Sequence, residues 1–128
     1  MISLPTIAGI QQIGIGIPNV HQAFDWYREH FGMDIPIFEE AAEANLMLRY
    51  TGGKPHQRHA ILALNMRGGG GFEIWQYTSR TPVDATFEIH LGDLGFFSAR
   101  IKSIDVKGSF EFLKSKGTNL VSDLIKDP

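Results

Sequence analysis

Two strand-like segments place polar side chains where a ligand could bind. In "QQIGIGI" the alternation of a β-strand puts Gln12, Gly14 and Gly16 on one face and isoleucines on the other. A glutamine beside two residues without side chains leaves room for a ligand on that face. The spacing alone favours the simpler interpretation, a solvent-exposed strand face on which Gln12 has no special role.

The segment "GGGGFEIWQY" carries the least ordinary charge in the chain. Alternation places Glu73 on the same strand face as Trp75 and Tyr77, within an otherwise apolar strand. A buried carboxylate needs a metal ion, a cation or a proton, whereas an exposed one beside aromatic residues needs none. The pattern leaves both interpretations open. The glycines do not form a phosphate-binding loop, because neither Lys-Ser/Thr nor a helix follows them.

The histidines of the chain give weaker signals. His56 and His59 have the i, i+3 spacing of a chelating pair, but they fall in a Gly/Pro-rich segment without cysteine, which predicts a solvated loop. His21 falls in the first turn of a predicted helix and is expected to face solvent. His30, near the end of the same helix, is explained by the helix dipole. His90 lies near the later strand-like segments and is a candidate site residue.

Composition and charge narrow the classes of function. The chain of 128 residues is 43% hydrophobic and 20% charged, which suits one globular domain. Its net charge of −2 gives no support for binding to nucleic acid or to an anionic membrane. No apolar run could span a bilayer and the N-terminus lacks the layout of a signal peptide, so a cytoplasmic protein is expected. With no cysteine and no G-x-S-x-G motif, the sequence predicts neither a thiolate site nor a serine triad.

The candidate residues of the first half must be positioned by a strand, a helix and further strands. A strand over about 10–17 leads to a helix over about 20–31, which begins at the N-cap Asn19 and ends at Gly32. The segments "DIPIFEE", "NLMLRY", "RHAILALNM" and "FEIWQYTS" are predicted to be extended. Turns are predicted between them at "TGGKPHQ" and "RGGGG".

The same pattern of strand, cap and helix returns 86 residues later. The segment "FFSARIKSID" alternates like the first strand, and "DVKGSFEFLKSKG" predicts a helix that begins at Asp105 and ends at Gly117. Such a repeat indicates an internal duplication, in which "TNLVSDLI" would be the next strand and about two further strands are missing. Either the second half is abbreviated or the chain is a piece of a longer protein.

These segments together resemble the vicinal oxygen chelate superfamily, which includes glyoxalases, bleomycin-resistance proteins and extradiol dioxygenases. The segment "QQIGIGIPNVHQAFDWYREHFGM" is similar to its opening, "GGGGFEIWQY" to its fourth strand, and "FFSARIKSIDVKGSFEFLKSKG" to the start of its second module. The resemblance implies an α+β fold in which paired βαβββ modules form a curved, half-open mixed-sheet barrel with the helices outside. It implies one domain over 1–128, with module one at about 8–80, a linker at about 81–93 and an incomplete module two at about 94–128.

The resemblance also implies the ligands of a divalent metal. The first would be Gln12 and the second Glu73, whose oxygen atoms suit Zn, Ni, Fe or Mn. The third position, usually a histidine, falls on Ser98 by the 86-residue shift, and serine is a poor metal ligand. The fourth position lies beyond Pro128. The predicted site is therefore half present, and a homodimer or a partner with swapped modules would have to supply the rest.

Three functions are compatible with this resemblance. The first is a metal-dependent lyase or isomerase similar to lactoylglutathione lyase, or a dioxygenase-like enzyme, acting on a small oxygen-chelating substrate. The second is a metal-free module that binds a small molecule, as in the bleomycin-resistance branch. Its aromatic walls would be Trp75, Tyr77 and Phe96, with Arg100 as an anion anchor. The third is one segment of a larger multi-module protein. An unfinished sheet has an open edge, which predicts pairing with another chain.

Overall fold

Alternating apolar strands and one amphipathic helix build the first half of the molecule. A computed structural model describes residues 9–67 and 70–126 of the chain, which divides into two units, Met1–Val83 and Asp84–Pro128. The first unit contains β1 (Gln12–Gly16), α1 (Val20–Phe31), β2 (Ile35–Glu43), a 3-10 helix (Asn45–Tyr50), β3 (Gln57–Leu64) and β4 (Gly71–Tyr77). In the second unit, the described residues form one regular element, α2 (Val106–Ser115).

The four strands form a mixed sheet in the order β1-β4-β3-β2. Strand β1 runs parallel to β4, with Gln12 opposite Gly71 and Gly16 opposite Trp75. Strand β3 is antiparallel to both β4 and β2. The chain order βαβββ is the predicted one, and the sheet does not close, because β1 and β2 remain its edges. The barrel of paired modules is not observed among the described residues.

The helix α1 begins and ends where the sequence predicts. The Asn19 side chain accepts a hydrogen bond from the Gln22 amide at 3.1 Å, and Gly32 ends the helix in the left-handed conformation, with φ of 60°. A second cap comes from the sheet, because the Gln76 side-chain oxygen accepts a hydrogen bond from the Val20 amide at 2.9 Å. Two independent contacts therefore fix the start of the helix over β4.

Side-chain direction divides the sheet into two faces. The face against α1, here called the helix face, carries the buried core, in which Val20, Ile61 and Ile74 are almost inaccessible to solvent. Half-buried apolar residues of β1 and α1 complete this core: Ile13, Ile15, Ile17, Ala23, Phe24, Tyr27 and Phe31. The opposite face, here called the far face, therefore presents the alternate residues of each strand, including Gln12, Glu73 and Trp75.

Tyr27 is expected to make the stability of the fold decrease at high pH. Its ring lies 5.2 Å from that of Phe72, and burial raises the pKa of its hydroxyl above the ordinary value of 10.0. Because the folded state holds this proton more tightly, the stabilising effect is complete below pH 10.0 and is lost as the pH rises through the raised pKa. Urea denaturation at increasing pH should show a smaller alkaline loss for Tyr27→Phe than for the control Tyr50→Phe, which alters an exposed tyrosine. Equal losses in both variants would contradict the expectation.

The segment "NLMLRY" was predicted to be extended, and this prediction is wrong. It forms the 3-10 helix Asn45–Tyr50, after which the Thr51 hydroxyl donates to the Lys54 carbonyl at 2.6 Å. Gly52 and Gly53 then adopt left-handed conformations, and the Gly53 amide returns to the Leu48 carbonyl at 2.9 Å. The two adjacent glycines form a tight turn between the 3-10 helix and β3.

The two strands predicted in the second half are also absent from the described residues of that unit. "FFSARIKSID" and "TNLVSDLI" form neither helix nor strand, whereas α2 forms as predicted, with the Asp105 side chain accepting from the Gly108 amide at 2.8 Å. A helix satisfies its own backbone groups, but a strand needs a neighbour for its N–H and C=O groups. No described strand lies in this unit to pair with them. The module and linker bounds remain predictions, and part of the "RGGGG" turn falls on residues 68 and 69, outside the described residues.

None of the helices in the described parts of the chain is long and apolar enough to cross a membrane.

Candidate ligand site on the far face of the sheet

A direct contact joins the two predicted oxygen ligands. The Gln12 side-chain nitrogen Nε2 donates a hydrogen bond to Glu73 Oε2 at 2.8 Å, although 61 residues separate them in sequence. The parallel pairing of β1 with β4 sets Gln12 against Gly71 and Gly14 against Glu73, so the two polar residues are diagonal neighbours on the far face. Both are half-buried. The pair is therefore a partly desolvated amide and carboxylate, with the remaining carboxylate lone pairs available to a ligand.

Open space lies beside this pair. Gly14 is the neighbour of Glu73 on β1, and Gly16 is the neighbour of Trp75. A Cβ atom built at either glycine meets no atom within 4 Å. Neither glycine has a positive φ, so the backbone does not require glycine at these positions. The missing side chains instead leave room over the far face for a small molecule.

Aromatic rings and one cation border the rest of this face. The rings of Trp75 and Tyr77 meet edge to face with centroids 4.4 Å apart. Arg58 on β3 is opposite Tyr77 and forms an ion pair with Glu40 on β2. Its Nη1 atom is buried and has no hydrogen-bond acceptor among the described residues. The far face thus runs from a carboxylate at Glu73, past two aromatic rings, to a guanidinium with unused donor capacity.

A cleft of about 430 Å³ opens beyond the end of β4 rather than over the pair itself. The Arg80 guanidinium carbon lies 5.2 Å from the centre of the Tyr77 ring at this cleft. The lining residues are Pro18, Gln76, Tyr77, Thr78, Ser79, Arg80, Thr81 and Pro82. Gln12 and Glu73 are not among them.

Three predicted site residues belong to the second unit. Phe96, Ser98 and Arg100 are exposed and lie outside any helix or strand. Their roles as an aromatic wall, a third ligand and an anion anchor remain predictions. His90 is also in this unit, where its backbone amide donates to the Asp93 carboxylate at 2.8 Å in a turn.

Sequence reasoning missed two groups of residues in the first unit. Arg58 was overlooked, although alternation along "RHAILAL" places it on the same sheet face as Ala60 and Leu62. His59 was predicted to be in a loop but lies in β3, whereas His56 precedes the strand. His59 meets His21 and Glu39 on the helix face. No spacing in the sequence predicts the contact of these three residues, because it depends on the strand register.

Comparison with known proteins identifies a solved structure that has this fold. The chain matches the crystal structure of a glyoxalase family protein from Bacillus cereus with a TM-score of 0.66, covering 100% of this chain and 85% of that one. The two sequences are 13% identical, so the likeness shows the fold alone. No protein family and no curated protein matches the sequence. The predicted resemblance to the vicinal oxygen chelate superfamily is therefore confirmed at the level of the fold.

Proposed function

We propose that this chain is a glyoxalase-like protein that binds a small, oxygen-bearing molecule on the far face of its sheet, where Gln12 and Glu73 form half of a divalent-metal site. The observation that carries the proposal is the 2.8 Å contact between these two side chains. It brings the two residues that the family resemblance names as ligands into one place. The open space beside Gly14 and Gly16 supports the same assignment.

The donor set of this pair suits a metal but needs further ligands to complete a site. An amide oxygen and a carboxylate oxygen are ligands for hard or borderline divalent ions. Catalytic sites in proteins generally use three protein ligands, and no described His, Asp or Glu joins Glu73 in a group of three. A metal bound here would act as a Lewis acid that stabilises an enediolate-like anion. Gln12 and Glu73 would hold it, while Trp75 and Tyr77 would pack against the substrate and exclude water.

A second copy of the chain is the proposed source of the missing ligands. Two far faces brought together would offer two amide oxygens and two carboxylates, a set of four oxygen donors. Strands β1 and β2 each have one edge without a partner strand in the described part of the chain, and such edges favour association. Metal binding and dimerisation are therefore thermodynamically linked, and each is expected to increase the affinity of the other.

The linkage can be tested by sedimentation velocity with increasing Mn²⁺, an ion that prefers oxygen ligands. Mn²⁺ should convert the wild-type chain to a dimer at one ion per two chains. Glu73→Gln should remain monomeric at the same Mn²⁺ concentration, because the substitution removes the carboxylate without changing its size. Glu39→Gln is the matched control, since it makes the same change on the helix face and should dimerise like the wild type. Dimerisation of Glu73→Gln, or none in the wild type, would contradict the shared metal site.

Metal-free binding of a small molecule is the second candidate function, and the hydrogen bond itself favours it. The Gln12 N–H already satisfies one oxygen of Glu73 without an ion, and Arg58 offers an unused donor on the same face. Catechol is a suitable probe because it is flat and carries two neighbouring hydroxyls. Trp26→Phe leaves Trp75 as the single tryptophan. In this variant, with a chelator present, catechol should change the fluorescence of Trp75 if binding is metal-free. A response that requires Mn²⁺ would favour the metal site instead.

A further inference from the structure

Three potential metal ligands converge on the helix face of the sheet, on the side opposite Gln12 and Glu73. His21 belongs to the first turn of α1, Glu39 to β2 and His59 to β3. The His59 Nε2 atom lies 3.1 Å from Glu39 Oε1, and the His21 Nδ1 atom lies 3.8 Å from the same oxygen. One ligand atom from each of the three residues lies within 4.8 Å of the other two. Two imidazoles therefore approach one carboxylate oxygen from two different elements.

The fold holds these residues in place through contacts that are independent of the cluster. On the helix face, His59 is opposite Gln76 of β4 and Ala41 of β2, so Glu39 is its diagonal neighbour. The Gln76 side chain in turn accepts the Val20 amide hydrogen at 2.9 Å, next to His21 in the chain. The strand opposite His59 thus fixes the helix turn that carries His21. Such support from surrounding contacts reduces the entropy lost when an ion is bound.

The distances are close to those of a zinc site. With Zn–N and Zn–O bonds of about 2.0–2.2 Å, neighbouring ligand atoms in a tetrahedral site lie about 3.3 Å apart. The 3.1 and 3.8 Å separations bracket this value, so small rotations of the side chains would complete the arrangement. Two histidines and one glutamate are a known ligand set for zinc that leaves a fourth position open to water.

The exposure of the cluster allows an ion to enter. The side chains of His21 and Glu39 are 63% and 47% exposed, whereas that of His59 is 23% exposed. The least exposed ligand lies on a central strand and the most exposed on the helix. An ion can therefore reach the cluster from solvent while the site keeps a rigid base in the sheet.

We infer that His21, Glu39 and His59 form a second metal site, which takes a divalent ion of the Zn²⁺ class. This site is separate from the far-face site, does not depend on its function, and needs no second chain, because all three ligands come from one unit. The ion would tie the start of α1 to β2 and β3 and so stabilise the fold. The alternative is an ordinary surface cluster, in which the His21 and His59 rings pack edge to face at 4.9 Å and share a carboxylate.

Calorimetric titration of the chain with Zn²⁺ distinguishes a metal site from an ordinary surface cluster. Thermal unfolding is a second readout. The wild-type chain should bind one Zn²⁺ at this site and unfold at a higher temperature in its presence. Glu39→Gln and His21→Ala should each weaken binding by about tenfold or more and abolish the thermal shift. Both side chains are substantially exposed, so neither variant should unfold. His30→Ala, at the other end of α1, is the control and should bind this Zn²⁺ like the wild type, whereas Glu73→Gln identifies any Zn²⁺ bound on the far face.

Co²⁺ provides an independent readout of the ligand set. When it replaces Zn²⁺, the visible absorption should be that of a low-coordinate ion, and it should be lost in Glu39→Gln and His59→Asn. If Zn²⁺ binding and the thermal shift survive in Glu39→Gln and His21→Ala, the inference is wrong. It is also wrong if the wild type fails to bind, or if Glu73→Gln alone removes the binding, since the ion would then occupy the far face.

Discussion

Gly71→Ala should reduce the free energy of unfolding by about 3 kcal/mol, although it adds only one methyl group. A Cβ atom at this position would lie 2.4 Å from the carbonyl oxygen of Ala63 and 3.0 Å from Leu64 Cδ1. The carbonyl belongs to the backbone of the neighbouring strand β3, so it cannot rotate away. Relief of the overlap requires β3 and β4 to separate at the end of the sheet that positions Gln12 and Glu73. Urea denaturation measures the loss.

The matched control is Gly14→Ala on the adjacent strand β1. A Cβ there meets no atom within 4 Å and the backbone needs no positive φ, so the change in stability should stay within about 0.5 kcal/mol. Both substitutions add the same group to a glycine within a strand. Equal losses in the two variants would show that the contact with the Ala63 carbonyl is not what constrains residue 71.

Gly14→Leu should abolish ligand binding on the far face while leaving the fold intact. The leucine side chain would extend into the open space next to Glu73, where the proposed ligand lies. We expect at least about a tenfold loss of affinity for Mn²⁺ or catechol, comparable to the loss of a hydrogen bond to a charged group. Isothermal titration measures this effect, and the far-ultraviolet circular dichroism spectrum checks the fold.

Gly14→Ala serves as the size control for that experiment. Its smaller side chain fills little of the space, so binding should be close to that of the wild type. If Gly14→Leu binds both probes as well as the wild type, the open space beside Glu73 is not the ligand site. Affinity that is kept in Gly14→Ala and lost in Gly14→Leu would support the proposal, because the ligand then competes only with the larger added volume.

The sequence predicted the first module well because its signals are local. The Asn19 cap, the Gly32 stop and the alternation of "FEIWQY" each act within a few residues, and the structure confirms the elements that they define. The predicted strands of the second unit are absent for a physical reason: alternation shows which face a residue would occupy but does not supply a partner strand. The 3-10 helix after Ala44, which a glycine turn follows, was not predicted.

The candidate site was predictable only in part, for a similar reason. The alternation of side chains along each strand predicts which face carries Gln12 and which carries Glu73, but it does not show that β1 lies beside β4. Their proximity comes from a parallel pairing of distant segments, whereas the family resemblance implied only that the two residues share one metal. The cluster of His21, Glu39 and His59 had no such guide, because its members are 18 and 20 residues apart in the chain and meet through the register of β2 and β3.

The central claim is that Gln12 and Glu73 form the ligand-binding part of the far face, and paramagnetic broadening by Mn²⁺ tests it most directly. Two-dimensional ¹⁵N NMR spectra of Glu39→Gln, in which the helix-face cluster lacks its carboxylate, should be recorded during a Mn²⁺ titration. The account predicts that the amide signals of Gly14 and Gly16 and the Gln12 side-chain signals broaden first, and that adding Glu73→Gln prevents this. Uniform broadening, or broadening that Glu73→Gln leaves unchanged, would contradict it.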